Sequence, residues 1–332
     1  MRAWLMDSYA GVDKLRLGEL SDPSPGPTDV LVRVQFAGLN PADAFLAAGL
    51  YPAKPPLPHV LGRDGAGDVE VVGASVRDFR PGDHVGVLRC DIGVDRWGTL
   101  AEKVVVPAES LAPRPQGWSP EEMAAAPLVF LTAWQALTQW TDPPAPPPPG
   151  SRVLVTGASG GVGVASVLLG KSMKLTIIAL SRNEQKRARL KELGADIALD
   201  PNEPHLDKAI ADTAPAHKVD LIIDSVGGPL LPQLLKHLDY GGRISVVGRS
   251  GGPLPEFNTA ALLFRRIRLG GVAVGDYSAR EARAIWQDIV GRLQAIGRRP
   301  IIDRIVPFEN VPEGFARLAQ GPMGKVLVQV AS

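Results

Sequence analysis

Residues able to bind a charged ligand concentrate first in Thr156-Gly157-Ala158-Ser159-Gly160-Gly161-Val162-Gly163. The apolar β-branched run Arg152–Thr156 precedes this turn and reads as a buried strand. Val164–Lys171 follows it with small apolar residues at helical spacing. Strand, glycine turn and helix in that order are what a dinucleotide site requires. Gly160 lets the main chain approach a pyrophosphate, and Gly163 lets the helix pack close to the strand. Ser159, Gly161 and Val162 complete the turn, from which the helix offers unpaired N–H groups and its positive dipole end to the phosphates. Ala158 stands at the first glycine position, so the literal pattern is A-x-G-x-x-G.

The next strand, Leu175–Leu180, ends at Ser181-Arg182, with Ser181 lying 181 − 163 = 18 residues past Gly163. NAD-binding proteins usually carry a carboxylate near that position for the ribose hydroxyls, and a carboxylate would repel a 2′-phosphate. A hydroxyl and a guanidinium, with Lys186 and Arg187 close behind, suit a phosphate dianion instead. NADPH is therefore the expected cofactor. Asp224-Ser-Val-Gly-Gly228 and Gly248-Arg-Ser-Gly-Gly252 follow two later strands at their carboxyl ends, which puts Val226 and Gly248 along the expected cofactor groove.

Positioning these residues takes two domains' worth of chain. The sequence has 332 residues, and 36 Lys and Arg against 35 Asp and Glu leave a net charge of +1. So balanced a charge recruits neither nucleic acid nor an anionic membrane. No apolar run is long enough to span a bilayer, and Met1–Asp7 lacks the apolar stretch of a signal peptide. One cysteine, Cys90, excludes an internal disulfide and a zinc site of several thiolates, and fits a reducing compartment. The expectation is a cytoplasmic α/β protein.

Up to about Pro120 short strands alternate with Pro and Gly: Val30–Phe36, Gly67–Gly73, His84–Leu88 and Ala101–Val106. That spacing predicts a small antiparallel barrel or sandwich. Ser119-Pro-Glu-Glu122 then opens a helical stretch, Met123–Ala126 and Leu131–Gln139, which the proline-rich run 142–150 stops as a stiff surface loop. Beyond the glycine turn, helices 183–193, 206–212 and 230–238 alternate with strands 197–199, 219–224 and 243–248, predicting an open, doubly wound parallel sheet. Gly270–Gly275 reads as its apolar edge strand, which invites pairing with a second copy. The tail, helix 279–296 and strands 301–306 and 325–330 around helix 311–318, has too little core to stand alone and should return to the first domain.

With these pieces assembled, the chain resembles the medium-chain dehydrogenase/reductase superfamily in its zinc-free quinone oxidoreductase, or zeta-crystallin-like, branch. Ala37–Asp43, Leu61–Gly67, Pro81–Val85, the glycine turn and Leu193–Asp196 carry the resemblance over nearly the whole length. It implies a GroES-like β-rich catalytic domain from residues 1–122 and 271–332, a Rossmann NADP-binding domain over 123–270, a cleft between them for cofactor and substrate, and a homodimer. Zinc-dependent members carry Cys where this chain has Asn40, a His-Glu pair where it has Arg63-Asp64, and a further ligand near Leu128. Their four-cysteine lobe is missing from the region of Leu88–Gly98, and His59 and His84 stand isolated. No metal is expected.

Without a Lewis acid, alcohol oxidation loses the ion that would stabilise an alkoxide, whereas hydride addition to a quinone or an α,β-unsaturated carbonyl needs only donors for the developing oxyanion. The resemblance implies that Asn40, Asp43 and Tyr51 form that wall, and that Tyr51 matches the tyrosine of enoyl-thioester reductases that donates a proton or orients the acceptor. Core packing accounts for Phe45 and Trp134. Two other readings stay open. An enoyl-thioester reductase would use Arg265, Arg266 and Arg268 for a CoA or carrier phosphate, and an NADPH-binding protein would show little turnover.

Overall fold

The computed structural model describes residues 1–89, 91–212, 218–253 and 258–331; Cys90 lies outside them. The chain divides into two compact units, Met1–Leu128 with Gly275–Val290 and Arg299–Ser332, and Val129–Val274 with Gly291–Arg298. These limits differ from the expected 122/123 and 270/271 for local reasons. Met123 packs over Gly86, where even a Cβ would come within 2.2 Å of its methyl carbon, so residues 123–128 stay with the first unit. Val272 still donates its N–H to Val246 O at 3.0 Å, so the second unit's sheet runs past residue 270. Arg292 stacks on Trp134 and Arg298 donates to Glu192 O at 2.7 Å, which ties 291–298 to the second unit.

In the first unit the strand Asp29–Gly38 is central. It pairs antiparallel with Asp64–Val72, Lys103–Pro107 and Lys325–Gln329. Ile302–Pro307 runs parallel to Lys325–Gln329, so the tail does return to this sheet. Val30, Val32 and Val34 of the central strand fill a continuous apolar core with Leu46, Leu61 and Phe315. The seven-residue helix Pro41–Ala47 leaves the end of the central strand with proline at its start, where a missing N–H costs nothing.

In the second unit a parallel sheet has the spatial order Ile197–Leu199, Thr176–Leu180, Arg152–Val155, Val219–Asp224, Leu238–Val246, Arg268–Gly271. This is the doubly wound order, whose reversal falls beside Arg152–Val155. The outer strand is Arg268–Gly271 and not the expected Gly270–Gly275, because a short 3-10 turn begins at Val274. The helix expected over 230–238 is cut to Leu230–Leu234 and a 3-10 turn, Leu235–His237. No helix among the described residues is long and apolar enough to cross a membrane.

Candidate functional site

The glycine turn lies at the carboxyl end of Arg152–Val155 and feeds the helix Gly161–Ser172, with Gly160 as its N-cap. Gly157 makes the sharp turn at φ +56°, where a side chain would be strained, so the turn begins one residue before Ala158. A Cβ at Gly163 would stand 2.4 Å from Gly157 O, which explains that glycine by helix–turn packing. Gly160 is different. A Cβ there would meet only Gly157 O at 3.4 Å, an ordinary contact, so the fold itself leaves open space above this glycine. Val226 packs against Gly157 of the turn, and Gly248 lies against Ser225 O, one residue before Val226.

Asp224 fixes this end of the sheet. Its carboxylate accepts from Thr156 Oγ1 at 2.6 Å and from the N–H groups of Val226 and Gly227 at 3.0–3.1 Å. Beside it the Ser225 hydroxyl is buried without a partner. An orphaned hydroxyl, open space over Gly160 and the unpaired N–H groups of a helix N-terminus fit a dinucleotide's pyrophosphate and ribose. Ser181 is buried at the end of its strand, Arg182 is exposed, and Lys186 lies in the first turn of the helix Glu184–Leu193, which Asn183 caps. Arg187 braces the loop, its Nη1 donating to Ser181 O, Arg182 O and Asp200 Oδ2 at 2.9–3.0 Å.

In the first unit buried Asn40, Asp43, Asp64 and Lys325 form one cluster with the half-buried Tyr51 and Arg63. Asn40 accepts from Lys325 Nζ at 2.7 Å through Oδ1, and its Nδ2 donates to Asp64 Oδ2 at 3.0 Å and Gly38 O at 3.2 Å. A donor-only ammonium and an acceptor-only carboxylate fix the amide's orientation, and both amide hydrogens are spent inside the protein. With both hydrogens taken, Asn40 braces this cluster. Asp43 caps the helix by accepting the Asn40 N–H at 2.9 Å. It is fully buried, and burial pushes its carboxyl up to about 6, against the pull of Arg63 and the Asn40 N–H. Arg63 lies with Nε 3.7 Å from Asp43 Oδ1, stacks its guanidinium 4.4 Å from the Tyr51 ring centroid, and donates from Nη1 to Tyr51 Oη at 3.1 Å. The Tyr51 oxygen thus has an acceptor role filled, and no partner takes its own hydrogen among the described residues.

The residues do not fit a zinc ion. The amide oxygen and carboxylate at the expected ligand positions already surround an ammonium, and Leu128 contributes only its N–H, to Asp64 Oδ1 at 3.0 Å. His59 is buried with Nε2 unpartnered, and His84 pairs with Asp68 at 2.6 Å. No group of three or more His, Cys, Asp or Glu able to hold a metal occurs among the described residues. Of the arginines considered for a thioester's phosphate, Arg265 donates to Leu235 O and Arg268 stacks near Trp140. Two functional features escaped the sequence reading, the Arg63–Tyr51 pair and Lys325. The signal for the latter is a lysine opening the otherwise apolar run Lys325–Val328.

Comparison with known proteins gives the same architecture. The alcohol dehydrogenase GroES-like domain matches residues 26–116, and the zinc-binding dehydrogenase family matches residues 161–291. Mouse quinone oxidoreductase is 30% identical over 99% of this chain and 97% of its own length. The bovine mitochondrial NAD(P)H oxidoreductase RTN4IP1 is 29% identical over 99% of this chain and 89% of its own length. The solved structure of an NAD-dependent alcohol dehydrogenase is 33% identical and superposes with a TM-score of 0.90, covering 100% of both chains. Together with the glycine turn and the two units, these likenesses establish that the chain belongs to the medium-chain dehydrogenase/reductase superfamily, quinone oxidoreductase-like branch, and is an NAD(P)H-type oxidoreductase.

Proposed function

We propose that this protein is an NADPH-dependent reductase that transfers hydride to a quinone or an α,β-unsaturated carbonyl acceptor without zinc. The observation that carries this reading is the Tyr51 hydroxyl, which accepts from Arg63 at 3.1 Å and keeps its own hydrogen for an acceptor oxygen. Bound at the glycine turn, NADPH supplies the hydride. Ser159–Gly163 hold the pyrophosphate through main-chain N–H groups, Val226 and Gly248 border it, and Ser181, Arg182 and Lys186 take the 2′-phosphate. Hydride addition to a conjugated carbon moves charge onto the acceptor's oxygen, and Tyr51 donates to that oxygen. Arg63 holds the phenol in place, Asp43 holds Arg63, and Asn40 braces the helix start that carries Asp43. Relatives named for NAD and for NAD(P)H both exist, so the exposed Arg182 beside Ser181 is what favours NADPH.

A second copy pairing along the exposed outer strand Arg268–Gly271 would make a homodimer, and a single cysteine suits the reducing cytoplasm. Arg265 donates to Leu235 O, whereas Arg266 and Arg268 are exposed and keep the enoyl-thioester reading as the second one to test. The test is NADPH oxidation followed with a small quinone, a small enone and crotonyl-CoA. Turnover of the quinone or enone above crotonyl-CoA is expected. Preference for crotonyl-CoA would move the assignment to the thioester reductases, and no turnover of any would leave a nucleotide-binding protein.

A further inference from the structure

We propose that Lys54 and Tyr9 are positioning residues that clamp the segment carrying Tyr51, so that its phenol stands ready for the acceptor. The helix Pro41–Ala47 ends at Gly49, whose φ of +68° turns the chain out, and the Leu50 N–H closes the turn on Phe45 O at 2.8 Å. From Leu50 to Pro58 no regular secondary structure follows, and Pro52, Pro55, Pro56 and Pro58 have no N–H to give. Such a stretch is fixed mainly through its carbonyls, and carbonyls need donors from elsewhere. Two side chains supply them. Lys54 Nζ donates to Gly49 O at 2.5 Å and to Tyr51 O at 2.9 Å, drawing together the turn that carries Tyr51. The same ammonium stands 5.3 Å from the Tyr9 ring centroid. Tyr9 Oη in turn donates to Pro55 O at 2.6 Å. Two residues on, the Gly11 N–H donates to Ala47 O at 3.0 Å, and a Cβ at Gly49 would stand 3.2 Å from Tyr9 Cβ. The segment 9–11 therefore grips the Tyr51 segment at its start, through Ala47 and Gly49, and at its end, through Pro55.

Tyr51 is then held from two sides. Lys54 fixes its carbonyl, while Arg63 donates to its hydroxyl at 3.1 Å and stacks 4.4 Å from its ring centroid. The hold on the ring does not fix the main chain of a proline-rich turn, and a fixed main chain leaves the ring free to change rotamer, so each hold needs the other. A donor displaced by even about 1 Å loses much of its effect on the reaction. Lys54 and Tyr9 belong to the first unit and the glycine turn to the second, so the loss should fall on turnover and leave cofactor affinity alone. The kinetic part of this inference rests on the proposed function, whereas the placement of the Tyr51 ring does not.

The experiment compares the full-length protein with Lys54→Met, which keeps the stem and removes the donors, with Lys54→Arg, and with Tyr9→Phe, which keeps the ring. In Lys54→Met the kcat for a small enone or quinone should fall roughly three- to tenfold, at the wild-type Kd for NADPH and with a melting temperature within about 2 °C of wild type. Lys54→Arg, whose guanidinium can donate to two carbonyls, should recover most of that kcat. Tyr9→Phe should lose less, in the same direction. In a Tyr51→Phe background Lys54→Met should change kcat by less than about twofold, because the donor it positions is gone. Protein labelled with meta-fluorotyrosine gives a fluorine NMR signal for Tyr51, assigned by its loss in Tyr51→Phe. That signal should move toward the position of the free amino acid in Lys54→Met and return in Lys54→Arg. An unmoved Tyr51 signal in Lys54→Met would overturn the inference in every case. Where the wild type turns over, so would an unchanged kcat in Lys54→Met, or a loss that persists in full in the Tyr51→Phe background. Failure of every acceptor to turn over would sink the proposed reaction and leave the fluorine signal to judge the clamp alone.

Discussion

Asp43 offers a perturbation whose sign and size both come from its surroundings. Its carboxyl is fully buried, and burial outweighs Arg63 and the Asn40 N–H to raise it from 3.8 to about 6. In the unfolded chain it titrates near the ordinary aspartate value of about 3.9. Between those two values the folded form binds more protons than the unfolded form, so this group's contribution to stability is present at low pH and is lost as pH rises through about 6. The separation is about two pH units, and at about 1.4 kcal/mol per unit the loss is about 3 kcal/mol. Asp43→Asn keeps an oxygen for the Asn40 N–H and removes the titration. Urea unfolding of both proteins at half-unit pH steps gives the difference in stability, in which the other carboxylates largely cancel. Wild type minus variant should fall by about 2 kcal/mol between about pH 4 and pH 7, the rest of the loss lying outside that window. The partner that Arg63 loses in the variant displaces the whole curve at these pH values, since an arginine stays charged throughout. Parallel curves for the two proteins would refute the reasoning, because a carboxyl that titrates normally is not desolvated by this cluster.

Three further outcomes follow from the same geometry. Arg182→Ala removes a charge-assisted phosphate contact worth about 1.5–3 kcal/mol, so the Kd for NADPH should rise roughly 10–150-fold with NADH nearly unchanged, and equal losses for both would count against the assignment. Tyr51→Phe keeps the ring under Arg63 and removes the donor; general-acid help is worth roughly 10²–10⁴-fold, so kcat should drop by at least about tenfold at unchanged NADPH affinity, and full kcat would reduce Tyr51 to a wall. Light scattering at micromolar concentration should give a dimer, since Leu263, Phe264 and Leu269 are exposed around the outer strand Arg268–Gly271, and a monomer would dismiss that pairing.

The second unit was legible because its signals are local. A β-branched run, a glycine turn and a small-residue helix each announce themselves within about ten residues, and parallel crossovers leave few topologies to choose from. The outer strand was placed two residues late because its start, Arg268-Leu-Gly-Gly271, has neither a β-branched residue nor a bulky alternation. The first unit's cluster was legible in part. Asn40, Asp43 and Tyr51 could be named from one motif, but what they do depends on partners far away in sequence. Lys325 reaches Asp64 across 261 positions, and no periodicity encodes that meeting. Arg63 was readable as a residue unsuited to bind metal, yet its stacking on Tyr51 depends on how the chain between them folds. The basic residues behave alike: Arg182, Arg187, Arg265 and Arg268 look interchangeable in sequence, and only the packing separates the exposed Arg182 guanidinium from those that meet carbonyls, a carboxylate or a ring.

The most direct test of the central claim is the fate of the hydride. NADPH carrying deuterium at the transferring C4 position is turned over with a small enone, and the product is read by mass spectrometry and NMR. The account predicts deuterium at the β-carbon with the carbonyl retained, and in heavy water a solvent deuteron at the α-carbon. Deuterium at the carbonyl carbon of an alcohol product would contradict it and make this protein a carbonyl reductase.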